Sequence, residues 1–206
     1  IGYGCITAAG SIIRKNELKN DRILLSSGFK NVSLPRQFYI YKNVSHIFNN
    51  NIYYIAGLIC LHAWYKHIRP LFVYDDFSRE LIRGMQDNLD LCIKERIYHL
   101  KIFCEKLNLS KEILFSKTKD KKSRSILIHE KAMEKIKQAE KIFKIEIDNK
   151  NLNKAGEKFI RIIEKKIDRA EKKYISVIQS LKTYDCENGT QWLFDIEKKI
   201  INKLLI

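Results

Sequence analysis

The sequence contains few residues that interrupt helices and no long apolar run. Only two of its 206 residues are proline and eight are glycine. The longest apolar run is the ten-residue segment from Ile52 to Leu61, about half of the roughly 20 residues that a membrane-spanning helix needs. Hydrophobic residues make up 45% of the chain and charged residues 31%, which is typical of a globular protein with a buried core. We therefore expect a helical domain without a transmembrane helix.

Cysteine is also scarce, and its positions follow no metal-binding or disulfide pattern. The number is odd and no Cys-x-x-Cys occurs among Cys5, Cys60, Cys92, Cys104 and Cys186. A disulfide framework requires pairs, and a structural zinc site requires closely spaced ligands. We therefore expect neither. Free cysteines suit a reducing compartment, so the predicted location is the cytoplasm.

The short motifs that mark a self-contained active site are absent. There is no Gly-x-Ser-x-Gly elbow, no phosphate-binding P-loop and no Gly-x-Gly-x-x-Gly fingerprint. His62 and His67 are five residues apart, whereas two metal ligands on one helical face are four apart. We therefore expect no metal site and assign no catalytic residue. The densest cluster of functional residue types is HAWYKHIR, residues 62–69, whose aromatic rings either stack beside the cations or serve as core anchors.

Positive charge exceeds negative charge, and the excess is uneven. The net charge is +15, of which +5 falls on residues 1–100 and +10 on residues 101–206. A basic surface attracts nucleic acid. Most of the lysines alternate with glutamates, however, which is typical of a solvated helix face. Nucleic-acid binding is therefore an alternative that is not favoured, with a candidate footprint on the loop Lys117–Arg124 and on Lys165, Lys166, Arg169, Lys172 and Lys173.

Apolar residues recur at spacings of three and four through most of residues 46–206, as on the buried face of an amphipathic helix. Breaks are expected at Arg69-Pro70 and at Asp185–Gly189. Asp75 or Asp76, Ser110 and Thr190 are the predicted caps. The predicted fold class is mainly α, a bundle of about five helices. The main predicted helices cover residues 47–67, 75–107, 126–148, 159–181 and 190–204, with a short one at 110–114.

The first residues have a different pattern. Two six-residue blocks, IGYGCI and TAAGSI, place an aliphatic residue at every sixth position with glycine and small residues between. This spacing suits a triangular coil of short parallel strands, in which the aliphatic side chains point inward and the corners need glycine or small residues. The alternative is a Gly-rich hairpin or arm that packs on the helices.

The segment GSIIRKNELKNDRILLSSGFK, residues 10–30, resembles the exit of the left-handed β-helix in hexapeptide-repeat transferases. The resemblance covers residues 1–30, about a seventh of the chain. The sequence departs from the family pattern at Leu18-Lys19, at Ser26 and at Gly28, where proline, glycine and proline are usual. The matching positions are Gly10 to Ile13 in the last coil, Lys15 and Asn16 in the turn, Ile23 and Leu24 in the next strand, and the terminal Lys30.

The resemblance implies a trimeric β-helix that presents acyl-CoA, acyl-carrier or sugar-nucleotide sites between neighbouring coils. It makes Lys15, Arg22 and Lys30 candidate contacts for cofactor phosphates, because ammonium and guanidinium groups both bind phosphate. The alternative is that these three are ordinary solvated charges. The family's catalytic histidine lies in earlier coils, which this sequence does not contain.

The connector Leu34-Pro35-Arg36-Gln37 and the aromatic-rich helices after it are similar to those of uncharacterised bacterial hexapeptide-repeat proteins. The expected domains are residues 1–33 as the last coil of the β-helix, 34–45 as a connector and 46–206 as the helical domain. Because the sequence lacks an initial Met, we expect the C-terminal part of a larger transferase-like protein. Its helical domain would cover the end of the β-helix or mediate oligomerisation. A structural bundle without a ligand is the remaining alternative.

Overall fold

The computed structural model describes residues 1–27, 30–118, 123–148, 151–167 and 173–206, and at positions 27, 30, 118 and 148 it describes the backbone alone. The chain divides into two compact units, Ile1–Ile40 and Tyr41–Ile206. The first unit contains a small sheet. The described part of the second contains six α-helices, five of them longer than ten residues, which confirms the predicted mainly α class.

Three short strands form the sheet of the first unit: β1 (Ile6–Thr7), β2 (Arg22–Ser27) and β3 (Lys30–Pro35), in the order β1-β2-β3. β1 lies parallel to β2, with Ile6 opposite Ile23 and Thr7 opposite Leu24. β3 is antiparallel to β2 along its whole length. Leu24, at the centre of β2, is buried, so the apolar contacts of this unit converge on the middle strand.

The second unit is built around its first helix. Its elements are α1 (Val44–His67), a 3₁₀ turn (Arg69–Phe72), α2 (Asp76–Thr118), α3 (Arg124–Asp148), α4 (Lys154–Ile167), α5 (Tyr174–Gln179) and α6 (Thr183–Leu204). α1 contacts α2, α3 and α6. The predicted connector 34–45 therefore holds the end of β3 and the first turn of α1, and the unit boundary falls within it.

α1 corresponds to the helix predicted over residues 47–67, and much of it is buried. Seven of its residues are buried, from Val44 through Phe48, Ile52 and Ile59 to Ala63, and each large apolar side chain removed from water contributes about 1.5–3 kcal/mol. The α-helix ends at His67, shortly before Pro70, which lacks the N–H that would continue the hydrogen bonds between residues four apart. Pro70 instead occupies the first turn of the 3₁₀ segment, where its missing N–H costs nothing.

α2 is longer than the sequence predicts. Asp75 caps it, since its Oδ1 accepts a hydrogen bond from the Ser78 amide at 2.6 Å, as expected. The helix then continues for 43 residues to Thr118, so the predicted end near Leu107 and the predicted separate helix capped by Ser110 are wrong. Leu107 and Ser110 are both fully buried, and the tertiary contacts of this turn keep it helical.

Two boundaries in the last third of the chain also differ from the prediction. The single helix expected over 159–181 is two helices, α4 and α5, and Lys173 before α5 is extended, with φ −79° and ψ 113°. α6 begins at Thr183, after the extended Lys182, so the predicted break at Asp185–Gly189 and the predicted cap Thr190 are wrong.

Close packing between α4 and α6 explains why a glycine lies inside α6. A Cβ atom on Gly189 would lie 2.9 Å from Cε2 and Cζ of Phe159 in α4. In the opposite direction, a Cβ on Gly156 of α4 would lie 2.8 Å from Cδ1 of Trp192 in α6. Each glycine therefore lets an aromatic ring of the other helix pack directly against the backbone. The glycine at 189 is part of a helix contact and not a break.

Candidate functional site

Three residues with a positive φ angle form backbone turns in the N-terminal unit. Gly4 and Gly10 have φ angles of 69° and 72°, and Asp21 has 53°, so all three occupy the left-handed region that favours glycine. Asp21 lies directly over Gly4, and a Cβ on Gly4 would collide with its carboxylate. The Asp21 amide donates to the Tyr3 carbonyl at 2.9 Å, and the Ala8 amide donates to the Leu24 carbonyl at 3.0 Å.

The aliphatic side chains at the six-residue spacing differ in burial. Leu24 is 4% exposed, whereas Ile6, Ile12 and Leu18 are 45%, 63% and 85% exposed. The expectation that Ile6 and Ile12 fill a narrow core is therefore not met within the described chain. Parallel pairing covers β1 on one edge only, since β1 is the outer strand of the sheet order.

A cleft of about 200 Å³ lies on the sheet, and Lys15, Glu17, Asn31 and Ser33 are among its lining residues. Glu17 faces Ser33, and the hydrogen bond from the Ser33 hydroxyl is the main reason that the pKa of the Glu17 carboxyl lies below its ordinary value. Lys15 is an exposed ammonium on the rim of this cleft. Lys15 therefore offers one cation at the rim, whereas the ionised Glu17 carboxylate on the side of the cleft opposes a bound anion.

Arg22 contacts Ser33 and Glu17 as well. Its Nε donates to the Ser33 hydroxyl at 2.9 Å, its Nη2 donates to the Ser33 carbonyl at 2.6 Å, and Glu17 Oε2 lies 4.0 Å away. These contacts hold the guanidinium against protein atoms. The resemblance implies that Arg22 contacts a cofactor phosphate. In the structure, the same guanidinium already binds Ser33, which indicates a structural role.

Lys30 lies at the opposite end of the strand pair. Its backbone pairs with Ser27, whereas Arg22 pairs with Pro35, and five residues of antiparallel strand correspond to about 17 Å. The side chain of Lys30 lies outside the described part of the chain. The structure therefore brings Lys15 and Arg22 to one region around Glu17 and Ser33, and places the backbone of Lys30 away from them.

A buried serine–histidine pair connects α2 and α3 in the helical unit. Ser110 Oγ lies 2.9 Å from His129 Nε2. His129 Nδ1 lies 2.7 Å from the Ser125 carbonyl, which can only accept, so Nδ1 carries the proton and Nε2 accepts from the serine hydroxyl. The Tyr41 amide donates to the same hydroxyl at 3.1 Å. Burial is the main reason that the pKa of His129 is lowered.

The pair has the distance of a nucleophile and its base, but Ser110 and His129 are both fully buried. The serine hydroxyl is hydrogen-bonded on both sides, so its oxygen is not presented to a substrate. We interpret this pair as a structural hydrogen bond that joins α2 and α3. The contact between Ser110 and His129 is not evident from the sequence. The two residues lie 19 positions apart, and the sequence around His129 matches no motif.

The two histidines of the HAWYKHIR stretch have different neighbours. His62 Nε2 lies 3.4 Å from Asp90 Oδ1, and the ring of His67 lies 6.1 Å from the ring of Trp192. Burial lowers the pKa of His62, and Asp90 only partly opposes it. Among the residues that the structure describes, no group of three or more His, Cys, Asp or Glu side chains could hold a metal ion.

Part of the candidate nucleic-acid footprint lies outside the described residues, namely 119–122 of the basic loop together with Arg169 and Lys172. Within the described part, Lys165 and Lys166 are in the last turn of α4. Lys166 Nζ donates to the Ser180 carbonyl at 2.7 Å, so this ammonium serves the junction with α5. The nucleic-acid alternative itself stays a prediction.

Comparisons with known proteins give no match for this chain. No protein-family model, no curated protein and no solved structure is similar to it. Over the described residues, no helix is both long enough and apolar enough to cross a membrane, in agreement with the sequence. Inferences about function therefore depend on the geometry of the two units.

Proposed function

We propose that the N-terminal unit is the last coil of a left-handed β-helix, and that the chain is the C-terminal part of a hexapeptide-repeat, transferase-like protein. The observation that carries this proposal is the parallel pairing of β1 with β2. Ile6 lies opposite Ile23, an offset of 17 residues, close to three hexapeptides. A Gly-rich hairpin would pair these strands antiparallel.

The turns support the same interpretation. Gly4 and Gly10 are six residues apart and both left-handed, and the left-handed Asp21 lies over Gly4 at the same 17-residue offset. Corners that stack one above another are what a coiled solenoid requires, because each coil contacts only its neighbours. The offset of 17 is one residue short of an 18-residue coil.

The two edges of the sheet differ, and this difference indicates the side on which earlier coils would stack. β3 pairs antiparallel with β2, so parallel stacking ends on that side. On the other side, the outer edge of β1 and the exposed Ile6 and Ile12 suit a further parallel coil. In this proposal earlier coils stack on β1, and the acyl-CoA or sugar-nucleotide site lies between those coils in the complete protein.

The helical unit then serves assembly. Because β3 already covers the outer edge of β2, we favour oligomerisation over capping of the β-helix, with a trimer as the expected assembly in the cytoplasm. Sedimentation equilibrium of the 206-residue chain measures this directly. A trimer supports the proposal, and a monomer at micromolar concentration contradicts the assembly role.

The natural gene provides the sharpest test of the β-helix itself. The codons that precede Ile1 are expected to encode several hexapeptides with an aliphatic residue at every sixth position and a histidine among them. A preceding sequence without this period contradicts the proposal. No property of the helical unit needs to be known for this comparison.

Cofactor binding is tested by titrating the complete protein, with its earlier coils, with coenzyme A in a calorimeter. Replacing Lys15, which lines the cleft, by alanine is expected to weaken binding about three- to tenfold, because an ammonium–phosphate contact is lost. Lys19→Ala is the matched control, since Lys19 is an exposed lysine of the same segment that does not line the cleft. Equal effects of the two variants would remove Lys15 from the site.

A further inference from the structure

A cleft in the helical unit lies where the 3₁₀ turn, the start of α2 and the start of α5 meet. Its volume is about 470 Å³, which is large enough for a small organic ligand. The residues that matter for its chemistry are Arg69, Phe72, Tyr74, Leu81, Lys173 and Tyr174. It shares no residue with the N-terminal unit, so a ligand bound in it is independent of the proposed function.

Arg69 is the central residue of this cleft. Its guanidinium carbon lies 4.1 Å from the centre of the Tyr174 ring and 5.8 Å from that of Tyr65. Its Nε is buried and has no hydrogen-bond partner in the part of the chain that the structure describes. A buried charged donor without a partner costs free energy, and an oxyanion bound at this nitrogen would recover that cost.

The ring under Arg69 is fixed before any ligand arrives. Trp64 Nε1 donates a hydrogen bond to the Tyr174 hydroxyl at 3.1 Å. Phe72 packs edge-on against the same ring, with centroids 5.1 Å apart and planes at 85°. Stacking uses the face of the guanidinium and leaves its edge, which carries the N–H groups, for a planar or tetrahedral oxyanion. The stack of Arg69 on Tyr174 is thus formed before a ligand binds, which favours affinity.

The remaining walls indicate what accompanies the anion. Two cations, Arg69 and Lys173, line the cleft, and none of its described lining residues is acidic. Phe72, Leu81 and Ile82 supply apolar surface. We propose that this cleft binds a small amphipathic anion, whose carboxylate or phosphate is held by Arg69 and whose apolar body packs against Phe72 and Leu81.

The test is a titration of the full chain with phenyl phosphate and, in a parallel arm, with benzoate, followed by ¹H–¹⁵N NMR. We expect the Arg69 Nε–H resonance to move downfield and saturate. The Trp64 indole resonance is expected to shift with it, because that indole bonds Tyr174. The Trp192 indole, which donates to the Asn151 carbonyl, is the internal control and is expected to stay in place.

Comparison of phenyl phosphate, benzoate and inorganic phosphate identifies the chemistry of the ligand. Tighter binding of phenyl phosphate assigns a phosphate head, and tighter binding of benzoate assigns a carboxylate. Inorganic phosphate is expected to bind at least about fivefold more weakly than phenyl phosphate, because it has no apolar body. Equal affinities for these two contradict the apolar part of the proposal, and no saturable shift with any anion overturns it entirely.

Arg69→Lys keeps the charge and removes the Nε donor. Binding, followed on the Trp64 indole, is expected to weaken at least about tenfold. Arg96→Lys is the matched control, since Arg96 also stacks on a tyrosine, with its guanidinium carbon 4.9 Å from the centre of the Tyr54 ring, but lies outside the cleft. An equal loss in both variants would indicate general attraction to a basic protein and would contradict the site.

A second pair of variants leaves Arg69 in place. Leu81 lines the cleft and is 47% exposed, and Leu127 on α3 is 52% exposed, so both tolerate a polar side chain. Leu81→Glu places a carboxylate in the cleft and is expected to abolish phenyl phosphate binding, whereas Leu127→Glu leaves it unchanged. Full binding by folded Leu81→Glu overturns the proposal.

Discussion

At the scale of single residues, burial decides the protonation of two cysteines and two histidines in the helical unit. The pKa of the Cys60 thiol is raised to about 11 and that of Cys104 to about 12, mainly by burial, so both thiols remain protonated and unreactive at neutral pH. The same cause lowers the pKa of His62 and His129. These groups contribute to folding and not to nucleophilic chemistry.

The lowered histidine pKa values predict a specific acid sensitivity. An unfolded histidine has a pKa of about 6.5, so below that pH the unfolded chain binds protons that folded His129 and His62 do not. The free energy of unfolding is therefore expected to fall as the pH decreases from about 6.5 to 5.5. Urea denaturation of the chain and of His129→Gln at several pH values measures this free energy. Its dependence on pH should be shallower in the variant. An unchanged slope contradicts the buried neutral imidazole.

Glycine at 189 is predicted to be required for the contact between α4 and α6. In Gly189→Ala, the new Cβ meets the buried ring of Phe159 at 2.9 Å, and overpacking costs about 1–3 kcal/mol. Gly84→Ala is the matched control, because nothing lies within 4 Å of the corresponding Cβ in α2 and alanine is the better helix former by about 1 kcal/mol. Opposite signs of the two changes in unfolding free energy are expected from urea denaturation.

At the scale of elements, α1 organises the helical unit through polar contacts as well as through its buried face. Asn49 binds both backbone groups of Ile206: its Oδ1 accepts from the Ile206 amide and its Nδ2 donates to the Ile206 carbonyl, each at 3.0 Å. Ser45 donates to the same carbonyl at 3.1 Å. The residues after α6 are thereby fastened to the first turns of α1.

Asn49→Ala is expected to weaken this attachment and to lower the unfolding free energy by about 1–3 kcal/mol, because the Ile206 amide loses its partner and the Ile206 carbonyl loses one of its two donors. The measurement is urea denaturation together with hydrogen exchange of the Ile206 amide, which should lose its protection. Asn50→Ala serves as the control, since Asn50 is exposed and its side chain contacts His46 in the same helix. Equal effects at the two positions would contradict the attachment.

At the scale of the whole molecule, the excess of positive charge opposes compactness. The net charge of +15 gives a self-repulsion that salt screens. Exposed ion pairs such as Arg83–Glu80 and Arg79–Asp76 offset this repulsion only slightly. We therefore expect the melting temperature to rise by a few degrees between about 20 mM and 300 mM sodium chloride, as measured by circular dichroism. A decrease would indicate that attractive pairs dominate.

The class of the fold and the location of its central helix are predictable from the amino-acid sequence alone. Apolar residues at spacings of three and four predict α1, α2 and α3, because burial of one face is what stabilises a helix in a protein. The short length of the longest apolar run, ten residues, predicts that no helix crosses a membrane. The cap at Asp75 is predictable as well, since a carboxylate that accepts an amide hydrogen bond is a local contact.

Tertiary packing, in contrast, determines which local signals are overruled and which distant residues meet. In the sequence, Gly189 looks like a helix break. In the structure it lies within α6, because the ring of Phe159 occupies the position that a Cβ atom would take. Ser110 has the appearance of a cap, yet it lies within α2 because its hydroxyl meets His129. Arg69 and Tyr174 are far apart in the sequence and form one cleft. Such contacts depend on three-dimensional packing, which periodicity along a chain does not encode.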